Sequence, residues 1–289
     1  MKTILLLAAT AILPMANIQA ETLQSAKVTT RVNDVRLYQQ QQSGRQAKVG
    51  DRISGQTSVQ TGRRSRAELT FQDNTVSRLG ANSTFSFRRG SRDINLNKGS
   101  ILLQVPKSAG GATIRTATVT AAITGTTLLM EYNVGKWVKL ITLEGKVGLK
   151  LGDKKGLFGG QKRVNVPAGK MIIMRPNGEI ITKPVDVDLK RLLATSILAG
   201  DKPFGPLSDE ARRLIAAAVA KQEKLKQKGI LLSGNQVERH PGSDTTQHQN
   251  SARDVHGHEP PYRESPSDQT GGGGETGGGG IESPGGTSR

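Results

Sequence analysis

Apolar and polar residues alternate along much of the chain from residue 27 to residue 183, and this period of two is typical of strands that bury one face. In Arg66–Gln72, the apolar side chains of Ala67, Leu69 and Phe71 alternate with polar ones. The segments are short, and turn-forming residues separate them. This arrangement predicts an all-β fold, either an antiparallel β-sandwich or a β-roll. Because long helical patterns do not alternate with the strands, the sequence disfavours a parallel α/β sheet.

Pairs of residues that favour tight turns mark the joints between the expected strands. Asp73-Asn74, Lys98-Gly99 and Glu144-Gly145 each lie between two segments of strand-like pattern. Aspartate, asparagine and glycine tolerate the backbone conformations that such turns need. We therefore predict a turn at each of these three positions.

Two helices are predicted after the β region. Asp186 or Asp188 is placed to cap the first helix, which the apolar pattern extends to Gly200. Ser208 is placed to cap the second, and Gly229 is placed to end it. Both assignments use the preference of short polar residues for helix starts and of glycine for helix ends.

The N-terminus has the pattern of a secretory signal peptide. Lys2 precedes an apolar run of about ten residues, and Ala20 is a small residue suited to cleavage before Glu21. The run is shorter than the roughly 20 residues that cross a bilayer, so it predicts no transmembrane span. We expect an exported protein, periplasmic or extracellular; a short buried helix at an unprocessed N-terminus is the alternative.

The C-terminus has a different composition from the rest of the chain. From Ser233 onward it contains two runs of four glycines and few large apolar residues, so it cannot bury enough surface to offset the entropy of ordering. We predict a disordered glycine-rich tail. The expected organisation is a signal peptide (1–20), an N-terminal extension (21–47), a β domain (48–183), a helical extension (184–232) and the tail (233–289).

The charge of the chain limits the class of partner. The formal net charge is +17, and the four arginines and eight acids after residue 233 place all of the excess positive charge before the tail. Such a field favours polyanions. Because export is predicted, an anionic glycan, a cell-wall polymer or an acidic lipid is expected rather than nucleic acid. The chain has no cysteine, which excludes disulfides, thiolate metal sites and cysteine catalysis.

A group of arginines is the candidate site for an anionic ligand. They flank two segments that we expect to form neighbouring strands, with their side chains displayed to solvent. The alternative is a solvated basic face without a ligand. The six are Arg63, Arg64, Arg66, Arg88, Arg89 and Arg92.

Catalytic and metal sites are disfavoured. A nucleophilic threonine at Thr126 needs a base, and all four histidines lie in the predicted tail. Gly125 is therefore interpreted as a point of close backbone approach. The histidines at 256 and 258 have too loose a pattern for a metal site, and we expect no cofactor. Glu68 and Asp73 leave a glycan hydrolase as a remote alternative, since a glycosidase needs two carboxylates.

Five short motifs occur in order at spacings that resemble the FecR-type domain of bacterial ferric-citrate-type regulators. They are Lys48-Val-Gly-Asp51, Thr61–Leu69, Leu96-Asn-Lys-Gly99, Ile123-Thr-Gly-Thr126 and Glu144-Gly-Lys-Val147. The motif positions expected to shape the backbone are Gly50, Asp51, Gly99, Gly125, Thr126 and Gly145.

The resemblance implies an extracytoplasmic β domain that acts as an interaction module. The regulators it resembles have a cytoplasmic segment and a transmembrane helix, whereas this chain begins with a predicted signal peptide, so the sigma-factor role is not carried over. The leading hypothesis is a non-enzymatic exported binding or scaffolding protein that acts through protein–protein contacts in the cell envelope. The second is a structural or adhesion protein that binds anionic glycan or lipid through a basic face.

Overall fold

The computed structural model describes residues 22–39, 43–151 and 162–229. The predicted signal peptide and the predicted tail lie outside the described residues. The described part has three layers, namely an outer sheet, a middle sheet and a helical layer, so the expected antiparallel β-sandwich followed by two helices is confirmed.

The middle sheet is antiparallel. Its strands, in spatial order, are β4 (Arg52–Ser54), β1 (Ser25–Val32), β6 (Arg66–Phe71), β7 (Val76–Leu79), the second half of β9 (Asp93–Val105), β12 (Thr126–Asn133), β13 (Trp137–Glu144), β16 (Lys170–Met174) and β17 (Val185–Asp186).

The outer sheet is antiparallel except where β9 and β10 run parallel. Its strands, in spatial order, are β3 (Arg45–Gln46), β2 (Val35–Tyr38), β5 (Ser58–Thr61), β8 (Thr84–Phe87), the first half of β9, β10 (Gly111–Arg115), β11 (Val119–Thr124), β14 (Lys146–Leu151) and β15 (Lys162–Pro167). Strands β1 to β3 precede residue 48 and belong to the same two sheets, so the segment expected to be an N-terminal extension is part of the sandwich.

Strand β9 joins the two sheets. It runs for 13 residues without a break, so the predicted turn between two strands at Lys98-Gly99 is wrong. Gly99 has φ +88°, and a Cβ there would lie 2.5 Å from Ser83 Cα. Only glycine suits this left-handed and crowded position. The strand therefore bends at Gly99 and passes from β8 in the outer sheet to β12 in the middle sheet.

Gly125 lies at a second crossing between the sheets, where β11 ends and β12 begins. Its φ is +54°, and a Cβ there would clash with Lys107 Cγ and lie 3.1 Å from Lys107 Cα. Gly145 makes the return crossing beside it, since a Cβ on Gly145 would lie 2.8 Å from the Gly125 carbonyl oxygen. Close backbone approach at Gly125, as the sequence suggested, is confirmed.

The main hydrophobic core lies between the two sheets. It contains Leu69, Phe85, Ile101 and Leu140, all fully buried. A second core lies between the other face of the middle sheet and the helices. Its members include Leu102, Leu129, Ile141, Leu192 and Ile215.

The helical layer consists of α1 (Leu189–Thr195), α2 (Asp209–Gln227) and the segment 196–208 between them. Asp188 caps α1 by accepting a hydrogen bond from the Arg191 backbone N–H. Helix α1 ends earlier than Gly200, contrary to the prediction, because Ser196 adopts an extended conformation. Ser208 caps α2 through the Ala211 N–H, as predicted.

Replacing Gly125 with valine should lower the free energy of unfolding by about 2 kcal/mol or more, because a β-branched residue meets both the left-handed backbone penalty and Lys107. Thr126→Ser is the matched control. It keeps the buried hydroxyl that donates to the Thr124 carbonyl, so it should change stability little. Urea denaturation of both variants measures the difference. A Gly125→Val protein as stable as the parent would contradict the crowding at this crossing.

Candidate interaction surface

Arg78 fastens the helical layer to the middle sheet. Its side chain is fully buried, and Nε donates to Glu68 Oε2 at 2.8 Å. Nη1 donates to the carbonyl oxygens of Leu198 and Gly200, each at 3.0 Å. Nη2 donates to the Gly205 carbonyl oxygen at 2.6 Å. One guanidinium therefore binds a carboxylate on the sheet and three carbonyls of the segment between α1 and α2.

Two features of its surroundings act on the charge of Arg78 in opposite directions: burial disfavours the charged form, and Glu68 stabilises it. Burial lowers the pKa of Arg78, whereas the hydrogen bond and charge of Glu68 raise it. An arginine keeps its proton under such conditions, so the charge must be neutralised by its partners. The ring of Phe204 adds a cation–π contact at 5.0 Å from the guanidinium carbon.

The hairpin of β6 and β7 sets the Glu68–Arg78 pair. The predicted turn at Asp73-Asn74 is confirmed: Asp73 accepts from the Thr75 N–H at 2.9 Å and Asn74 has φ +62°. Glu68 and Arg78 stand five positions on either side of Asp73, and the ladder pairs them directly. This symmetry about the turn was the sequence signal that could have identified Arg78, which the sequence analysis missed.

The same row of the middle sheet continues as an apolar surface under the helices. Arg78 pairs with Leu102, Leu102 with Leu129, and Leu129 with Ile141. All four are buried. Polar residues of the alternating pattern, such as Glu68, therefore face the helical layer and not solvent.

Two glutamines and a lysine add further ties to the helical layer. Gln104 donates to the Ser208 hydroxyl at 2.7 Å, which links β9 to the cap of α2. Gln222 accepts from the Leu189 N–H at 3.0 Å, which links α2 to the start of α1. Lys226 pairs with Asp188 at 2.9 Å. Both helices are thus fixed to each other as well as to the sheet.

An apolar groove opens between α1, the connecting segment and α2. Its volume is about 430 Å³. On α2, Ala216 and Ala220 are exposed to solvent, whereas Ile215 is buried. Residues that line the groove include Leu193, Leu207, Ile215, Ala216, Val219 and Ala220.

The wall of the groove contains one charged residue of each sign, Arg212 and Asp201, and the cation, Arg212, also pairs with Asp209. Along the exposed side of α2, cations exceed acids, which favours a partner with negative charge beside its apolar face. The exposed cations of this helix are Arg212, Arg213, Lys221 and Lys224.

The six arginines of the candidate anionic site do not form one cluster. Arg63 and Arg64 are exposed in the turn between β5 and β6, and Arg66 is half-buried on β6. Arg88 and Arg89 are exposed after β8. The two groups lie at opposite ends of the sandwich.

The expectation that the arginines flank neighbouring strands is wrong. Strand β6 pairs with β1 and β7 in the middle sheet, whereas β8 pairs with β5 and β9 in the outer sheet. The Thr61 N–H donates to the Ser83 carbonyl, so the turn after β5 lies at the start of β8. Arg88 lies at the other end of β8, about 17 Å away along the strand. Arg92 is mostly buried, with a 10% exposed side chain that pairs with Asp73 at 2.6 Å.

The other motif positions shape the backbone. Gly50 has φ +97° in the turn between β3 and β4. Asp51 accepts from the Lys48 N–H at 2.8 Å and pairs with Arg45 at 2.6 Å. The hydrogen bond from Arg45 holds the pKa of Asp51 below its usual value.

The two threonines after Gly125 are buried, and the hydroxyl of each donates a hydrogen bond within the protein. Thr126 donates to the Thr124 carbonyl at 3.0 Å, and Thr127 donates to Glu144 Oε1 at 2.9 Å. Glu144 is 4% exposed, and this burial raises its pKa. The hydroxyls and this carboxylate therefore form structural hydrogen bonds at the corner between the sheets.

Within the described ranges, no group of three or more histidine, aspartate or glutamate side chains is arranged to hold a metal ion. The histidines of the sequence lie outside these ranges. None of the described helices has the length and apolar character needed to cross a membrane.

The family model "FecR protein" matches residues 57–148. No curated protein matches the chain. Two crystal structures of a candidate anti-sigma factor from Parabacteroides distasonis resemble it, with 17% and 16% identity and TM-scores of 0.40 and 0.39. Each resemblance covers 48% of this chain and 64% of the other chain, which is less than two thirds of that protein.

Replacing Arg78 with methionine should lower the free energy of unfolding by about 3–5 kcal/mol, because Glu68 and three carbonyls lose their buried partner. Arg213→Met, on the exposed side of α2, is the control and should cost under about 0.5 kcal/mol. Chemical denaturation gives both values. Hydrogen exchange should show that segment 196–208 loses protection in Arg78→Met; unchanged protection there would mean that Arg78 does not hold the layer.

Replacing Glu144 with glutamine should stabilise the protein at neutral pH. Since the folded-state pKa of Glu144 is raised, ionisation costs stability as the pH rises above the ordinary value of 4.5. Below that pH the Glu144 carboxyl is protonated in both the folded and the unfolded protein, and the cost disappears. The gain from Glu144→Gln should therefore grow from acid to neutral pH in thermal melts. A gain that is independent of pH would show that ionisation of Glu144 has no part in it.

Proposed function

Because residues 57–148 form a FecR-type domain, we propose that this chain is a non-enzymatic interaction protein that is exported and acts in the bacterial cell envelope. The apolar groove on the helical layer, about 430 Å³ in volume, is the observation on which the proposal rests. In this proposal, the β-sandwich is the scaffold and the groove receives a segment of a partner protein.

The rigidity of the groove supports this role. Arg78 fixes the segment that connects the helices, and Gln222 fixes α2 against the start of α1. A groove that is formed before binding costs less entropy when a partner docks. Exposed apolar side chains such as Ala216 and Ala220 provide surface that a partner can cover.

The chemistry of the groove defines the partner. An apolar groove beside a helix suits an amphipathic helix, whose apolar residues enter the groove at helical spacing. The cations of α2 favour acidic residues at the flanks of that helix. We therefore propose a partner protein with an amphipathic, acidic helix.

The reactive groups of the sandwich support a binding role over a catalytic one. The hydroxyls of Thr126 and Thr127 donate to a carbonyl and to a carboxylate. Glu68 and Asp73, the pair weighed for glycan hydrolysis, are each bound to an arginine. Each of these groups therefore takes part in a hydrogen bond or ion pair within the fold.

Export is the part of the proposal that rests on the sequence alone. Lys2, the apolar run and Ala20 support it. If the N-terminus is processed, protein recovered from the envelope fraction should begin near Glu21. Recovery of intact Met1 from that fraction would count against export.

The groove can be tested with a matched pair of substitutions on α2. Ala216 lines the groove, and Ala217 is also exposed on the helix but is not part of the lining. Ala216→Glu buries a charge under any docked apolar segment and should reduce recovery of a cross-linked partner about tenfold or more. Ala217→Glu should leave recovery close to that of the parent.

The measurement is cross-linking of the tagged chain in its own cells, followed by identification and quantification of the partner. Circular dichroism of both variants should match the parent, since neither position is buried. Equal recovery with Ala216→Glu and with Ala217→Glu would mean that the groove is not the docking site.

A further inference from the structure

A second surface lies on the opposite side of the sandwich from the helices. The strands of the outer sheet direct one set of side chains into the core and the other set away from it. On five neighbouring strands, the outward set is aligned by the ladder into one row: Asn95, Arg115, Thr120, Lys150 and Arg163. With strands about 4.8 Å apart, the row is about 19 Å long.

The row is open to solvent and basic. Arg115, Lys150 and Arg163 are exposed. Among the ion pairs of the described residues, Asp93 is the acid that pairs with a member of this row, and it lies 3.3 Å from Arg115 and 3.7 Å from Arg88. Lys150 and Arg163 are not involved in those pairs. The row therefore keeps a positive charge after its own ion pairs are formed.

The neighbouring row begins with Asp93 on β9, and its other members are uncharged and mostly small. Thr113 pairs with Ala122, Ala122 with Gly148, and Gly148 with Asn165. Because small side chains project little from the sheet, an extended chain can lie across the strands on this row and contact the cations beside it. The hydroxyls and amides of both rows offer hydrogen bonds to uncharged groups of such a chain.

The chemistry of this face selects among anionic ligands. A membrane-binding surface places large apolar side chains at the lipid, and the exposed large apolar residues of the described chain, Val49, Val134, Ile181 and Ile197, lie outside the strands of the outer sheet. Binding of single-stranded nucleic acid uses exposed aromatic rings for stacking, and this row has none. A linear polymer with charged and hydroxyl groups fits both rows.

We propose that the outer face of the outer sheet binds a linear anionic polysaccharide, with Lys150 and Arg163 as its main charge contacts and Arg115 as a third. The site is separate from the groove, because two sheets lie between them. It also differs from the candidate arginine site of the sequence analysis, which the fold divides between two ends of the sandwich.

The test uses alginate, a linear polyuronate, as the probe and neutral dextran as the uncharged control. The full chain should bind alginate at low salt, bind it much more weakly at high salt, and not bind dextran. The double variant Lys150→Gln/Arg163→Gln should bind about tenfold more weakly. Arg63→Gln/Arg64→Gln removes the same charge from the turn between β5 and β6 and should stay within about twofold of the parent.

Thermal melts should show that both double variants remain folded, since all four side chains are exposed. Equal weakening by the two variants would overturn the proposal, because binding would then reflect net charge and not this row. Binding to vesicles that contain phosphatidylglycerol, without binding to alginate, would also overturn it and identify a membrane surface. Binding of alginate that is indifferent to salt would exclude the charge contacts.

Discussion

The buried contact between Arg78 and Glu68 is the interaction on which the other features of the helical layer depend. Arg78 binds the carboxylate of Glu68 on the sheet and three carbonyls of the segment between the helices. Those carbonyls belong to irregular backbone, which needs partners when it is buried. Without the guanidinium, both Glu68 and this backbone would be buried without compensation, and the groove between α1 and α2 would lose its fixed wall.

The two sheets depend on a different constraint, which is the sharp change of direction at glycines. At Gly99 one strand leaves the outer sheet and enters the middle sheet without ending. At Gly125 the chain makes the same passage between β11 and β12. Because each passage is short, the inner faces of both sheets stay opposed, and their inward apolar residues meet in the core between the sheets.

The two surfaces of the sandwich have the same alternating pattern but different surroundings. On the middle sheet, the outward row passes from Glu68 and Arg78 to apolar residues and is covered by the helices. On the outer sheet, the outward row ends in Lys150 and Arg163 and is open to solvent. The first surface holds the structure that forms the proposed protein-binding groove, and the second is the proposed polysaccharide site.

The sequence by itself determined the all-β class, the turn at Asp73-Asn74, the close approach at Gly125 and the cap of α2 at Ser208. These features follow from local rules, namely the period of two, the permitted backbone angles and hydrogen bonds within a few residues. The FecR resemblance rested on the same local motifs.

Only the tertiary structure decided how the strands are arranged and which polar rows are buried. Local pattern cannot show that Lys98-Gly99 is a bend within one strand, because the partner strands lie far away in the sequence. The local pattern also predicted that Arg63 and Arg88 flank neighbouring strands, but in the fold these strands belong to different sheets. Burial of Arg78 and exposure of Lys150 depend on whether a distant helix covers the sheet, and alternation within a strand carries no information about that.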